Sequence, residues 1–400
     1  MKKIILILTS FPSEKFPYHG VFNLRAAKEI SRHHNLLVVQ LRSNNLKRAL
    51  SKKRIYDEIE VLELSIPYLS SFKNFFTAFN IGIYKRIAYR KIKIELKGNV
   101  VIHSVGGILT GQVASYISKK TGLKHINQVI GSDVNYILPE LKELYGVKNW
   151  EKNVHTICCN SIDLESKINL LYPKNKTTVI YRGVDLEKVN FSSIESTNTI
   201  KFLFLGGLSI IKSKTILNKH PIKSFNTLGE DLKGGVLLLK SWQKWINDYK
   251  IKNAELHFGG PNVTNDKIET IINDKPEKYN IKIVGPLNHR DVLKNMEEAQ
   301  VIIVPSYAEG LPNIAMEAFA VGRPVIGSKV GGIPELITHK IDGYIFKNGS
   351  SVELIKAIDY FYNNQDELQL LGKNTRKKVV THFDSTQFIK NYNKLYFEES

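Results

Sequence analysis

Short runs of β-branched and aliphatic residues alternate with stretches of helical period along most of the chain, and this alternation limits the fold more than any other feature. Runs near 3–8, 35–40, 59–64, 99–103, 124–130, 154–158 and 177–181 read as strands in the first half. Runs near 200–205, 254–258, 281–284, 301–304 and 324–327 do so in the second. Strands that alternate with helices specify parallel sheets covered on both faces. Four hundred residues exceed what one ordinary core holds. The polar stretch Asn190–Thr199 looks like a linker, and a fresh buried run, Ile200–Leu205, follows it. The expectation is two doubly wound α/β domains, 1–190 and 196–375, with 376–400 crossing back as a helix onto the first.

Composition excludes several classes. With 42% hydrophobic and 24% charged residues the chain is globular, and no run approaches the length needed to span a bilayer. The apolar opening Ile4–Leu8 is too short for a signal peptide and reads as a buried strand. Cys158 and Cys159 are adjacent, which rules out an ordinary disulfide between them and fits a reducing cytoplasm. The net charge is +19, and the first 195 residues carry most of it, with 30 Lys and Arg against 16 Asp and Glu. Arg42, Lys47, Arg48, Lys52, Lys53 and Arg54 form its densest part, read either as a phosphate-attracting face or as a solvated loop.

In open parallel sheets ligands sit beyond the carboxyl ends of the strands. In the second half those ends carry Gly206-Gly207, Gly259-Gly260-Pro261, Gly285-Pro286 and Pro305-Ser306, where glycine lets a ligand approach the backbone. The richest segment is Pro305–Ala318. A strand ends at Pro305, a short loop follows, and Pro312 is placed as the first residue of a helix running to about Val321, stopped by Gly322 and Pro324. The amides of Asn313 and Ile314 would then be free donors at a positive helix end, suited to a diphosphate. Glu309 lies just before the helix and Glu317 in its second turn, both able to reach one pocket and accept hydrogen bonds from sugar hydroxyls; a capped surface helix is the alternative. Lys233-Gly234-Gly235 puts a cation at the start of another helix, against the dipole unless an anion lies between. Ser328–Glu335 adds a Gly-Gly turn after a strand. Asp-x-Asp, His-Glu-x-x-His, Cys-x-x-Cys and P-loop patterns are missing from the sequence, so no metal or other cofactor is expected.

With these residues together, the chain resembles the family-4 retaining glycosyltransferases of the GT-B fold, the glycosyl transferases group 1. Glu309 and Glu317 match that family's Glu-x7-Glu, Gly331–Glu335 its Gly-Gly-x-x-Glu, and Asp342-Gly343-Tyr344-Ile345 its Asn/Asp-Gly tail. Gly20-Val21-Phe22 and Gly131-Ser132-Asp133-Val134-Asn135 resemble members that build surface polysaccharides and teichuronic-acid-type polymers. The resemblance implies two Rossmann-like domains facing a cleft, the first binding a glycan or lipid-linked acceptor and the second a nucleotide-sugar donor. It implies that Glu309 contacts the donor sugar, Glu317 the ribose, and the backbone of Gly310, Leu311, Pro312 and Asn313 the diphosphate and sugar. Lys233 would neutralise the departing nucleoside diphosphate without metal, at a site lined by Gly206, Gly207 and Gly259. Gly20, His103 and Asp133 are the acceptor-side candidates, Asp133 also for catalysis; a buried structural role for His103 stays open.

This chain departs from that pattern in four places. Gly207 stands where an arginine is frequent, unless Lys212 or Lys214 in the polar insertion 211–231 replaces it. That insertion also lengthens the distance in sequence from Gly207 to Lys233. Ile130 stands where many members have histidine, and Arg182-Gly183-Val184-Asp185 replaces the common Asn-Gly-Val-Asp. A catalytically weak nucleotide-sugar-binding scaffold and a sugar-nucleotide epimerase therefore remain as rivals. Nucleic-acid binding rests on charge alone. Finally, 72–96 mixes Phe75, Phe76, Phe79, Ile83, Ile87 and Ile94 with Lys85, Arg86, Arg90, Lys91 and Lys93, a pattern either for an anionic membrane surface on the inner face of the cell membrane or for an ordinary core-facing helix.

Overall fold

The computed structural model describes residues 2–16, 19–44, 49–67, 78–107, 109–131, 133–138, 150–208, 231–285 and 287–397. Lys47, Arg48, Phe75, Phe76, Ser132, Lys212, Lys214 and nearly all of the 211–231 insertion lie outside these, as does the side chain of Phe79. The chain divides into two units, one holding Met1–Arg182 and Phe388–Ser400, the other lying within Gly183–Gln387.

The first unit carries β1 (Lys3–Leu8), β2 (Asn35–Asn44), β3 (Leu50–Tyr56), β4 (Ile59–Pro67), β5 (Val100–Val105), β6 (His125–Val129), β7 (Thr156–Cys159) and β8 (Thr177–Val179), in the order β3-β4-β2-β1-β5-β6-β7-β8. Only the β3–β4 pair is antiparallel among the described strands. The basic run read as a solvated loop is corrected in part: Lys52, Lys53 and Arg54 belong to edge strand β3. Lys53 pairs with Glu60 and Glu95, and Arg54 with Glu63. Charged side chains on an edge discourage pairing with another chain.

The helix Ala78–Ile92 buries Ile81, Tyr84, Ala88 and Ile92, spaced three or four apart, in one core with Ile5, Val39 and Leu64. Its apolar stripe therefore faces the sheet, and the lipid-surface reading is left with charge alone. Among the described residues no helix is long and apolar enough to cross a membrane. The last helix, Ser385–Phe397, sends Phe388, Ile389, Tyr392, Leu395 and Tyr396 into a core with Ile4, Leu6, Val38 and Val101. Cys158 and Cys159 are free and buried, and burial pushes the Cys158 thiol up to about 12.

The second unit carries β9 (Ile200–Leu205), β10 (Ala254–Gly259), β11 (Ile281–Gly285), β12 (Val301–Val304), β13 (Val325–Ser328) and β14 (Gly343–Phe346), ordered β11-β10-β9-β12-β13-β14 and parallel throughout. Phe202, Phe258, Trp242 and Trp245 fill its core. The two indoles stay satisfied there, donating to Tyr279 O at 2.8 Å and Asp359 Oδ1 at 3.1 Å. The expected linker Asn190–Thr199 is held against this unit. Arg323, 1% exposed, donates to Ser192 O at 2.5 Å, Glu297 O at 2.6 Å and Ala299 O at 2.7 Å. Parallel pairing sets the carboxyl ends of β9, β10, β12 and β13 on one edge, which places Gly206, Gly259, Pro305 and Ser328 together.

Candidate functional site

The loop after β12 is clamped from three sides, two of them at segments the sequence had singled out. Tyr307 N donates to Leu232 O at 3.0 Å, and Gly332 N to Gly310 O at 2.6 Å. Ser328 Oγ donates to Ser306 O at 2.5 Å, and Asn348 Nδ2 to Tyr307 O at 3.2 Å. Two glycines are required by this packing. A Cβ on Gly234 (φ +73°) would sit 2.0 Å from Pro305 O, and one on Gly331 (φ +55°) 2.1 Å from Glu309 O.

The clamp fixes Glu309, whose Oε1 takes Lys233 Nζ at 2.5 Å and Ser306 Oγ at 2.9 Å. Lys233 and Glu309 are thus brought together, the carboxylate nearly covered and the ammonium half exposed. A cation at this exposure can turn to an incoming phosphate with little desolvation cost.

The helix Asn313–Val321 begins at the end of the loop. Pro312 is its N-cap (φ −73°, ψ 119°), so the helix starts one residue later than expected. Proline offers no side-chain cap, and the first turn holds no acid. The Asn313 and Ile314 amides have no acceptor among the described residues, and both residues are partly exposed. Such an end attracts an anion through its free N–H groups and the macrodipole. Glu317, 3% exposed, lies one turn on and meets His289 Nε2 at 3.3 Å.

His289 and Asp231 were not found from the sequence. His289 opens the helix His289–Glu298, whose N-cap Asn288 accepts from Asp291 N at 3.0 Å; the Asn-x-x-Asp capping pattern was its only signal. Asp231 accepts from Val236 N at 2.9 Å and Leu237 N at 3.0 Å at the start of the helix Gly235–Tyr249. Burial raises its carboxyl pKa while these amides oppose the rise. That helix end is filled by the protein's own carboxylate, which explains how Lys233 can stand beside it.

Glycine has a different reason at Gly206 and Gly259 from the one expected. A Cβ on Gly206 would lie 2.5 Å from the Phe204 ring and one on Gly259 2.6 Å from Val284, so both serve internal packing. Gly207 is open, its Cβ position meeting only Pro261 O at 3.4 Å.

The remaining candidates belong to the first unit. Gly20 (φ +80°) starts the helix Val21–Ser31, and a Cβ there would meet Ser10 O at 2.6 Å. His103 is 1% exposed, stacked on Tyr392 at 4.7 Å and bonded to Tyr396 Oη at 2.7 Å, with burial pushing its pKa down to about 3. This enclosure beneath the last helix is the buried structural role that stood as the alternative for His103. Asp133 is buried; its Oδ1 accepts from the amides of Ile130, Gly131 and Val134 at 3.2, 2.9 and 3.0 Å. Among the described residues no group of three or more His, Cys, Asp or Glu could hold a metal ion.

Against known proteins, residues 219–378 match the family model of glycosyl transferases group 1. The uncharacterized glycosyltransferase MJ1178 of Methanocaldococcus jannaschii is 25% identical over 99% of this chain and 100% of its own length. The Escherichia coli UDP-Gal:alpha-D-GlcNAc-diphosphoundecaprenol alpha-1,3-galactosyltransferase is 25% identical over 60% of this chain and 59% of its own. The Anabaena Alr3699/HepE structure in complex with UDP superposes with a TM-score of 0.67 at 15% identity, over 99% of this chain and 99% of that one. The fold is that of two Rossmann-like α/β domains with parallel sheets, as in GT-B proteins. The family match and the relatives' names support a glycosyltransferase of group 1.

Proposed function

We propose that the chain transfers a sugar, with retention of anomeric configuration and without a metal, from a nucleotide-sugar donor to a glycan or lipid-linked acceptor in cell-surface polysaccharide synthesis. The observation that carries this reading is the uncapped helix end at Asn313, with Glu309 in the loop that leads into it holding Lys233 and with Glu317 buried one turn into the helix. The free amides take the diphosphate, Lys233 turns from Glu309 to the developing charge, and Glu309 accepts from a donor hydroxyl. Glu317, steadied by His289, accepts from the ribose. The acceptor oxygen bonds to the anomeric carbon as the bond to the diphosphate breaks on the same face, and the acceptor proton passes to the leaving phosphate. The UDP in HepE and the UDP-Gal in the E. coli relative's name support a nucleotide-sugar donor, and the latter's lipid-linked substrate supports the acceptor class.

Calorimetry with UDP, GDP and ADP and their sugars tests the donor half. Glu317→Ala should weaken binding of the preferred nucleotide by about 1–3 kcal/mol, the scale for losing a charged hydrogen-bond partner. Unchanged affinity would remove the ribose role, and absence of binding by every nucleotide would remove the reading.

A further inference from the structure

Arg182 is the residue by which this chain departs from Asn-Gly-Val-Asp, and its surroundings are unusual. Its guanidinium stands over the Phe22 ring at 4.7 Å, and its Nε and Nη2 are buried with no hydrogen-bond partner. No ion pair neutralises it among the described residues. The parallel neighbours β6, β7 and β8 bring their carboxyl ends to one sheet edge, where Asp133, Asn160 and Arg182 follow them, and Asp133 Oδ2 is likewise buried and unpartnered. Asn160 continues the group: its Nδ2 donates to Ile130 O at 3.3 Å and its Oδ1 has no partner. Phe22 belongs to the helix Val21–Ser31, which has no side-chain cap and no acid in its first turn. A buried guanidinium edge without hydrogen-bond partners costs several kcal/mol unless a ligand, ion or water meets it.

We propose that Arg182 and Asp133 form a subsite for an acidic acceptor, Arg182 taking an oxyanion through its Nε–Nη2 edge and Asp133 Oδ2 accepting from a neighbouring hydroxyl. The ligand is a sugar acid or a sugar phosphate, since both present an oxyanion and hydroxyls on one small frame. The planar guanidinium fork, pre-oriented by Phe22, matches either group in bidentate fashion. The word acceptor rests on the glycosyltransferase reading; the anion site does not.

The test titrates the full chain with glucuronate, glucose 6-phosphate and neutral glucose, with the tightest-binding of UDP, GDP and ADP saturating so that the helix end at Asn313 is occupied. One or both acidic sugars should bind, glucose should not, and Arg182→Met should weaken the acidic ligand by about tenfold or more. Arg182→Lys, keeping the charge without the fork, should fall in between. Binding of glucuronate alone assigns a carboxylate, and of glucose 6-phosphate alone a phosphate. The unliganded Arg182→Met protein should melt no lower than wild type, because it loses an unsatisfied charge. The proposal is overturned if neither acidic sugar binds wild type, if Arg182→Met binds it equally well, or if that variant melts several degrees lower, the mark of a structural cation. Should no nucleoside diphosphate bind, the donor reading fails by itself, and the same titration without nucleotide still decides the anion site.

Discussion

Two arginines with buried guanidinium nitrogens show how differently the two units treat polar groups. Arg323 in the second unit spends its guanidinium on the carbonyls of Ser192, Glu297 and Ala299. Arg182 in the first leaves its Nε and Nη2 without a partner. The contrast is general: every buried side-chain nitrogen or oxygen without a partner among the described residues lies in the first unit, His103 Nε2, Asp133 Oδ2 and Asn160 Oδ1 among them. Native interiors rarely leave such atoms unmet. The second unit has settled its interior and offers backbone amides at one edge, whereas the first keeps hydrogen-bonding capacity inside.

The largest expected effect tests the settled side. Arg323→Met should cost about 3–5 kcal/mol in urea unfolding, because three carbonyls lose charge-assisted bonds. A cost below about 1 kcal/mol would erase the contrast. Next comes His103, whose pKa burial holds down at about 3. Below its unfolded value of about 6.5 the unfolded chain binds a proton that the folded chain refuses, so stability held above pH 6.5 is lost as pH falls toward 3. Between pH 7 and pH 5 wild type should lose about 2 kcal/mol more than His103→Gln. Equal losses would mean that this interior is open to protons. The smallest effect separates the two helix ends of the second unit, one filled by Asp231, the other open. Pro312→Asp should fill the open one, raising the melting temperature slightly by about 1 kcal/mol of capping and lowering nucleoside-diphosphate affinity about tenfold. If affinity does not fall, the Asn313 amides are not the phosphate site.

Much of this was legible beforehand, for reasons that particular elements make plain. Buried parallel strands such as Val301–Val304 announce themselves as unbroken β-branched runs. Strand β3 did not, since its Leu-Ser-Lys-Lys-Arg sequence is exposed at nearly every position and only the ladder to β4 holds it. The Glu309 loop could be read because turn glycines and a proline cap act locally. The Lys233–Glu309 pair, the His289–Glu317 contact and the plugging of a helix end by Asp231 join residues that only the tertiary fold brings together. Arg182 stood out as a departure, but its lack of partners is a property of space, not of order along the chain.

The first unit takes Phe388, Tyr392 and Tyr396 into the same core as Ile4 and Leu6. On the ribosome the core around Ile4 and Leu6 therefore closes only after Phe388–Tyr396 have emerged, by which point every strand of the second unit is already out. Maturation would run backwards relative to synthesis, and a truncation before Phe388 would spoil the packing of β1 rather than that of the second unit's sheet.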